Sequence, residues 1–364
     1  MKEQHQHRLT MLTILLIYLV ILTGTVLHFD VLQFPQMTVR SMLDGSYADA
    51  VERYLSEHLG FHDTLFRIKS ETDLFIGEKM IQGVYITDDM LLEKLYSEEL
   101  PAPETLAEPV NRYFEENGTP TFLLLVPSAS GIYEGSLPAN AVNAAQQQLI
   151  KETYAATETG VRCVDASHIL SSLRNDYIYY RTDSHWTSFG AYSVYQNAIQ
   201  KMGFTPVPYQ RLVITHLSTE FRGDLYARTL YSEVKPDMLD CYAYERGSSV
   251  TSVTAYYADG TVQDRGNTLY DTSALQTEDK YRFYLGAPCQ KLVIRTNVEN
   301  GKTLLLYKDD FADCMVPFLM QHFSEICIID LIQTDPVPLE QAEDKYTQTL
   351  FLCSMKNWEM LFGA

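Results

Sequence analysis

Several absences narrow the chemistry. No phosphate-binding glycine loop and no dinucleotide glycine fingerprint occurs in the 364 residues, so nucleotide binding at a helix N-terminus has no signature here. Cysteine is sparse. Cys163, Cys241, Cys289, Cys314, Cys327 and Cys353 are scattered, with no Cys-x-x-Cys pair and no zinc spacing. Several stand in apolar strand-like runs and read as small buried hydrophobes; a disulfide between some pair stays open. Positive charge is also short. Lys and Arg number 28 against 47 Asp and Glu, a net of −19, which argues against nucleic acid or anionic lipid as a main partner. There is no internal repeat and no low-complexity tract. The 25 tyrosines suit a sheet-rich or carbohydrate-facing surface and a tyrosine-rich core equally well.

The N-terminus carries the clearest physical signal. An uncharged apolar run from Leu9 to Leu27 follows Lys2 and Arg8, close to the roughly 20 residues that span a bilayer. The basic flank is expected in the cytoplasm and the acidic remainder outside. Residues 24–30 offer no good Ala-x-Ala site and no lipobox cysteine, so an uncleaved anchor is expected rather than a cleaved signal peptide. The chain then divides into residues 1–29 (cytoplasmic tip and anchor), 30–95 (a membrane-proximal block) and 96–364 (the main domain). Within the block, residues 34–40 read as a linker. Ser46 can cap a helix with Tyr47, Val51, Tyr54, Leu55 and Leu59 on one face, ended by Gly60. Asp63 opens a second helix, and Val84-Tyr85-Ile86 with Met90-Leu91-Leu92 reads as a hairpin.

The main domain alternates strands and helices. Phe122 to Val126 is a buried-strand run after the Asn117-Gly118 turn. A helix is expected from 140 to 157, a strand at Val161 to Asp165, and further strands at 291–294, 303–307 and 325–331. Between 212 and 285 short β-type runs suggest an inserted antiparallel lobe. The pattern predicts an α/β fold, a three-layer sandwich around a mostly parallel sheet. Chemistry in such a sheet collects at the carboxyl ends of the strands, and Lys308-Asp309-Asp310 lies at one such end, where a nucleophile elbow would sit.

One stretch organises the rest: Tyr180-Arg181-Thr182-Asp183-Ser184-His185-Trp186-Thr187. In an extended segment Asp183 and His185 point to one side, and a helix with Ala191, Val194, Tyr195, Ala198, Ile199 and Met202 at helical spacing follows. This is how an acid–histidine pair would be held for a nucleophile from elsewhere.

Together with the N-terminal anchor, Gly83-Val84-Tyr85-Ile86, Val126-Pro127-Ser128 and Lys308-Asp309, this stretch resembles the DHHW family, relatives of the bacterial alginate O-acetyltransferases in the SGNH-hydrolase superfamily. The resemblance implies an SGNH-like fold, an extracytoplasmic location, and a Ser-His-Asp arrangement moving acetyl groups on polysaccharide hydroxyls. It implies no cofactor, and suggests a membrane-embedded O-acyltransferase and a polysaccharide as partners. By resemblance Asp183 is the orienting acid and His185 the base; Trp186, Lys308, Asp309, Ser184, Ser128 and Tyr180 are candidate substrate contacts.

The sequence departs from the family pattern at three places. Ser184 stands for the first histidine of the motif. Asp310 stands where the Lys-Asp-Ser turn has its nucleophile, and Gly286-Ala287-Pro288 stands for the Gly-Gly-Asn-like oxyanion segment. A carboxylate has no proton to surrender to His185, and it favours an imidazolium instead. Losing an oxyanion donor removes about 3 kcal/mol of transition-state stabilisation. The leading expectation is a weakened or inactive enzyme whose cleft binds glycan or a partner. A second reading keeps catalysis with Ser184 or Ser128 as nucleophile. A third takes Asp183, His185, Asp309 and Asp310 as ligands of Mn²⁺ or Zn²⁺.

Overall fold

The structure is a computed structural model that describes residues 2–28, 47, 51, 54, 61–95, 100–334 and 346–363. It divides into two compact units, Met1–Glu78 and Lys79–Ala364. In the first, the helix Lys2–His28 contains the 18-residue stretch Thr10–Leu27, mean hydropathy 2.3, long and apolar enough to cross a membrane. A second helix, His62–Phe75, starts where Asp63 led it to be expected. The linker at 34–40, and all of the helix behind Ser46 except Tyr47, Val51 and Tyr54, lie outside the described residues.

The second unit opens with three short antiparallel strands, β1 (Met80–Ile81), β2 (Val84–Ile86) and β3 (Leu91–Glu93). The expected hairpin is thus present, but the division between units falls at 78/79 rather than at 95. The cause is its bonding. The Leu91 N–H donates to the Arg181 carbonyl at 2.8 Å, and Tyr85, Met90 and Leu92 belong to the main core.

The remaining strands are β4 (Thr121–Val126), β5 (Arg162–Cys163), β6 (Leu212–Phe221), β7 (Asp237–Tyr244), β8 (Val250–Tyr256), β9 (Val262–Asp264), β10 (Lys291–Thr296), β11 (Thr303–Lys308), β12 (Glu325–Asp330) and β13 (Gln348–Ser354). Eight of them form one sheet in the order β5-β4-β13-β11-β12-β10-β8-β9. The first five in that order pair in parallel, and β10, β8 and β9 extend the sheet antiparallel. The segment 212–285 is therefore not one lobe. Its first half makes the separate β6–β7 ribbon, while its second half supplies two strands to the main sheet. Strand β13, unforeseen in the sequence, sits near the middle. The helix expected from 140 starts only at Gln146.

Uninterrupted apolar strands demand cover on both faces, and the side-chain alternation of β structure shows how it is met. Phe122, Leu124, Leu304, Leu306, Ile326, Ile328, Leu350 and Leu352 face one way, into a core shared with the helix Ser188–Lys201. Leu123, Leu125, Leu305, Tyr307, Cys327, Phe351 and Cys353 face the other way, against the helices Pro103–Asn117, Gln146–Ala155 and Met355–Phe362. This is the three-layer sandwich. All six cysteines are free thiols, four of them buried.

Leu350 is fully buried on a central strand. Leu350→Ala should lower the unfolding free energy in guanidinium by about 2–5 kcal/mol. Val213→Ala, at a position 47% exposed on the ribbon, should change it by less than about 0.5 kcal/mol.

Candidate functional site

The stretch around Asp183 is a tight loop. Tyr179 and Trp186 form an isolated antiparallel bridge at its base, and the Thr187 N–H donates to the Ile178 carbonyl at 2.9 Å. Thr187 caps the following helix, accepting from the Gly190 N–H at 3.2 Å. A Cβ at Gly190 would lie 2.4 Å from the Ile178 carbonyl oxygen, so only glycine lets the helix start this close. The loop is pinned from below by Asp237, a fully buried carboxylate that accepts from the Arg181 N–H (2.8 Å), the Thr182 N–H (2.8 Å), the Thr182 hydroxyl (2.5 Å) and the Tyr177 hydroxyl (2.5 Å).

Asp183 and His185 meet by a route other than an extended segment. The Asp183 Oδ1 accepts from the His185 backbone N–H at 2.9 Å, a side-chain turn typical of aspartate, and lies 2.7 Å from His185 Nδ1. Its Oδ2 accepts from the Asp224 N–H at 3.2 Å. A Cβ at Gly223 would come within 2.0 Å of that oxygen, so this backbone approach requires glycine. On the far side, His185 Nε2 lies 3.2 Å from Asp310 Oδ2, near enough for an ion pair although it lacks hydrogen-bond alignment. The Tyr281 ring stacks on the imidazole, centroids 3.9 Å apart and planes within 14°.

This arrangement fixes the charges. Burial disfavours the His185 cation, but Asp310 and then Asp183 outweigh it and hold the imidazole well above its ordinary value. Burial likewise pushes both carboxyls up, and the imidazolium pulls them further down, Asp310 to about 2. The pairings favour an imidazolium between two carboxylates, the form in which Nε2 holds a proton.

Asp310 arrives on the turn after β11, which is built by its neighbours. Asp309 is fully buried. It accepts from the Ser354 N–H (2.8 Å) and Asn357 Nδ2 (2.9 Å) at the end of β13, and from the Phe311 N–H (3.2 Å). Lys308 is buried between Asp313 (2.7 Å) and Asp330 (2.9 Å), which keep it charged against the cost of burial. Neither residue is free to meet a substrate as the sequence reading had it, although Lys308 lines the cavity wall.

Trp186 is fully buried, packs on Phe311 and donates from Nε1 to the Phe311 carbonyl at 2.7 Å. It ties the loop to the turn instead of offering a stacking surface. Tyr180 is equally buried, edge-on to Phe221, and lines neither cavity described below. Ser184 is partly exposed and borders both cavities, its N–H donating to Asp224 Oδ1 at 2.7 Å. Ser128 lines the smaller one, its N–H donating to Gln146 Oε1 at 2.6 Å. Among the described residues no group of three or more His, Cys, Asp or Glu side chains is placed to hold a metal ion, and Asp309, one of the four supposed ligands, is buried with its oxygens on Phe311, Ser354 and Asn357.

A cavity of about 440 Å³ opens in front of His185. Phe221, Tyr281, Leu285, Leu292 and Ile328 give it apolar walls, and Gly286-Ala287-Pro288 lies on its rim. The Gly286 N–H is spent on the Arg282 carbonyl at 2.8 Å. A second cavity of about 170 Å³ lies beside Asp310, Ser128 and Ser354. Sequence reasoning missed Asp224, Tyr281 and Asp237. They lie between 39 and 96 residues from His185 in the chain, in segments without any motif; only the Arg222-Gly223-Asp224 turn between two β-type runs offered a weak signal.

A family profile described as DHHW protein matches residues 113–329. No curated protein matches the chain by sequence. Among solved structures, a DHHW family protein from Eubacterium siraeum is similar over 76% of this chain and 93% of its own, with 23% identity and a TM-score of 0.65. PatB1 of Bacillus cereus, solved with a sulfonyl adduct, is similar over 76% and 95%, with 20% identity and a TM-score of 0.64. The O-acetyltransferase domain of Pseudomonas putida AlgJ is a weaker likeness, with 14% identity over 76% and 92% and a TM-score of 0.45. The first two share the α/β fold with its large, mostly parallel sheet.

The charges set a pH dependence. A raised histidine contributes stability that is complete below its unfolded value near 6.5 and is lost as pH climbs through the folded value. A depressed Asp310 contributes stability present above its unfolded 3.8 and lost as pH falls through about 2. Unfolding measured across pH should therefore show this contribution complete between about pH 4 and 6.5, and ring-proton NMR should find His185 still protonated at neutral pH. Gly223→Ala should displace Asp183 and destabilise the fold by roughly 1–3 kcal/mol, read by thermal unfolding.

Proposed function

Because the chain belongs to the DHHW family, we propose that it is a membrane-anchored, extracytoplasmic family member that has given up acyl transfer and serves cell-envelope or exopolysaccharide O-acetylation by binding glycan or a partner. The observation that carries this reading is Asp310 Oδ2 at 3.2 Å from His185 Nε2. A hydroxyl there would pass its proton to the imidazole and attack an acyl carbonyl. The carboxylate has no proton to pass, and it makes the imidazole a cation that can accept none.

Attack by the carboxylate itself would have to begin from an anion stabilised by the neighbouring charge, and it would leave a mixed anhydride. An acyl ester entering the site would also present its carbonyl oxygen to Asp310, at the place where the transition state needs donors. The apolar helix Lys2–His28 supports anchoring, and Lys2 and Arg8 support a cytoplasmic tip with the acidic remainder outside. A membrane-embedded O-acyltransferase is the partner the family resemblance suggests.

The full chain in detergent should hydrolyse a chromogenic acetate no faster than buffer, and His185→Ala should leave that rate unchanged. A sulfonyl fluoride should leave no adduct visible by mass spectrometry, in contrast to PatB1, which was solved carrying one. Asp310→Ser should raise acetate hydrolysis about ten- to a hundredfold. A wild-type acyl or sulfonyl adduct on the chain would overturn the reading.

A further inference from the structure

Asp310, His185 and Asp183 form an unbroken chain of contacts. Asp310 Oδ2 lies 3.2 Å from His185 Nε2, and Asp183 Oδ1 lies 2.7 Å from Nδ1. Asp310 stands on the turn at the carboxyl end of β11, its side chain 56% exposed and bordering both cavities. A nucleophile, a histidine and an orienting acid are recognised by geometry and role, and the nucleophile need not be an alcohol. A carboxylate is already an anion and needs no base to activate it. On an acyl carbonyl it would leave an anhydride; on a saturated carbon it leaves an ordinary ester.

The surroundings suit a saturated carbon. Attack there develops no oxyanion on the substrate, so the Gly286-Ala287-Pro288 segment loses nothing by having its Gly286 N–H bonded to the Arg282 carbonyl and no N–H at Pro288. Phe221, Leu285, Leu292 and Ile328 give the larger cavity an apolar wall, the lining that holds an uncharged hydrocarbon group. The smaller cavity also borders Asp310. Its volume of about 170 Å³, with Ser128, Ser184, Ser354 and Asn357 around it, has room and partners for water. His185 Nε2, close to Asp310, makes no aligned hydrogen bond with it, so the proton held in the imidazolium form is not committed to that carboxylate.

We infer that the site opens epoxides, with Asp310 as the nucleophile and His185 first as the acid and then as the base. In the first step a carboxylate oxygen of Asp310 attacks a ring carbon in line with its carbon–oxygen bond. That bond breaks, and the freed oxygen takes the proton from His185 Nε2, leaving a hydroxyalkyl ester on Asp310 and a neutral imidazole. Esterification removes the charge that does most to keep the ring protonated against the cost of burial, so the ring can now serve as a base. In the second step His185 takes a proton from water and the hydroxide adds to Cγ of the ester. The oxyanion forms on Asp310 itself, whose own backbone N–H already supports the carboxylate. The Cγ–O bond to the alkyl group then breaks, the departing alkoxide takes the proton back from His185, and the new Asp310 carboxyl passes its own proton to the ring. One epoxide and one water give one diol, and the carboxylate–imidazolium pair is restored. This activity goes beyond the binding role proposed above and shares with it only the premise that Asp310 ends acyl transfer.

The test uses the full chain in detergent with styrene oxide and cyclohexene oxide as probes. Diol should form faster than in buffer, and after brief incubation mass spectrometry should find the peptide carrying Asp310 heavier by one probe. A single turnover in heavy-oxygen water should place the label in the Asp310 carboxyl group and not in the diol, because water attacks Cγ. Asp310→Asn should lower the rate about a hundredfold or more, and His185→Gln should let the ester accumulate by slowing its release. Reaction with neither probe, label entering the diol in the first turnover, or an undiminished rate in Asp310→Asn would overturn the inference. The wild-type labelling decides the matter even if a variant folds poorly. Two inert epoxides would leave the loss of acyl transfer standing, whereas an acyl or sulfonyl adduct on the wild-type chain would sink that reading instead.

Discussion

The site depends on one electrostatic fact: a buried imidazole is flanked by a carboxylate on each ring nitrogen, Asp183 at 2.7 Å and Asp310 at 3.2 Å. Either pairing alone would be ordinary. Together they outweigh the cost of burial and commit the ring to its charged form. In a Ser-His-acid triad the imidazole must cycle between neutral and charged forms. Here the two carboxylates disfavour the neutral half of such a cycle.

Much of the surrounding structure serves to hold that imidazolium in position. Asp237 pins the loop from below with four hydrogen bonds, Gly223 lets the backbone close on Asp183, Trp186 bonds across to the Phe311 carbonyl, and Tyr281 covers the ring. Asp309 joins the ends of β11 and β13, and Lys308 joins those of β11 and β12. These contacts tie the loop, the turn and the ring into one unit at the carboxyl ends of the strands.

The central strands, the N-terminal apolar helix, the acid–histidine loop and the Asp310 turn were legible because each is a local signal: an apolar run, a short motif, a strand followed by a polar turn. What was not legible is non-local. Strand β13 (QTLFLCS) is as apolar as its neighbours, yet it follows a long polar stretch and carries no motif. The segment 212–285 reads as one β-rich insert because nothing in its residues says that β8 will pair with β10, a strand 35 residues or more away in the chain. Trp186 and Asp309 read as ligand contacts because they stand next to His185 and Asp310 in sequence. In the fold their side chains turn to Phe311 and Ser354, and adjacency in the chain does not determine which way a side chain points.

The fastening of β11 to both of its neighbours has a mechanical consequence. Buried, charge-assisted bonds at the tips of three adjacent strands leave the floor beneath His185 little freedom to breathe. Any adjustment of the cavity is left to its other walls, such as the chain around Arg222 and around Gly286, so a change of shape there leaves the ionic centre in place.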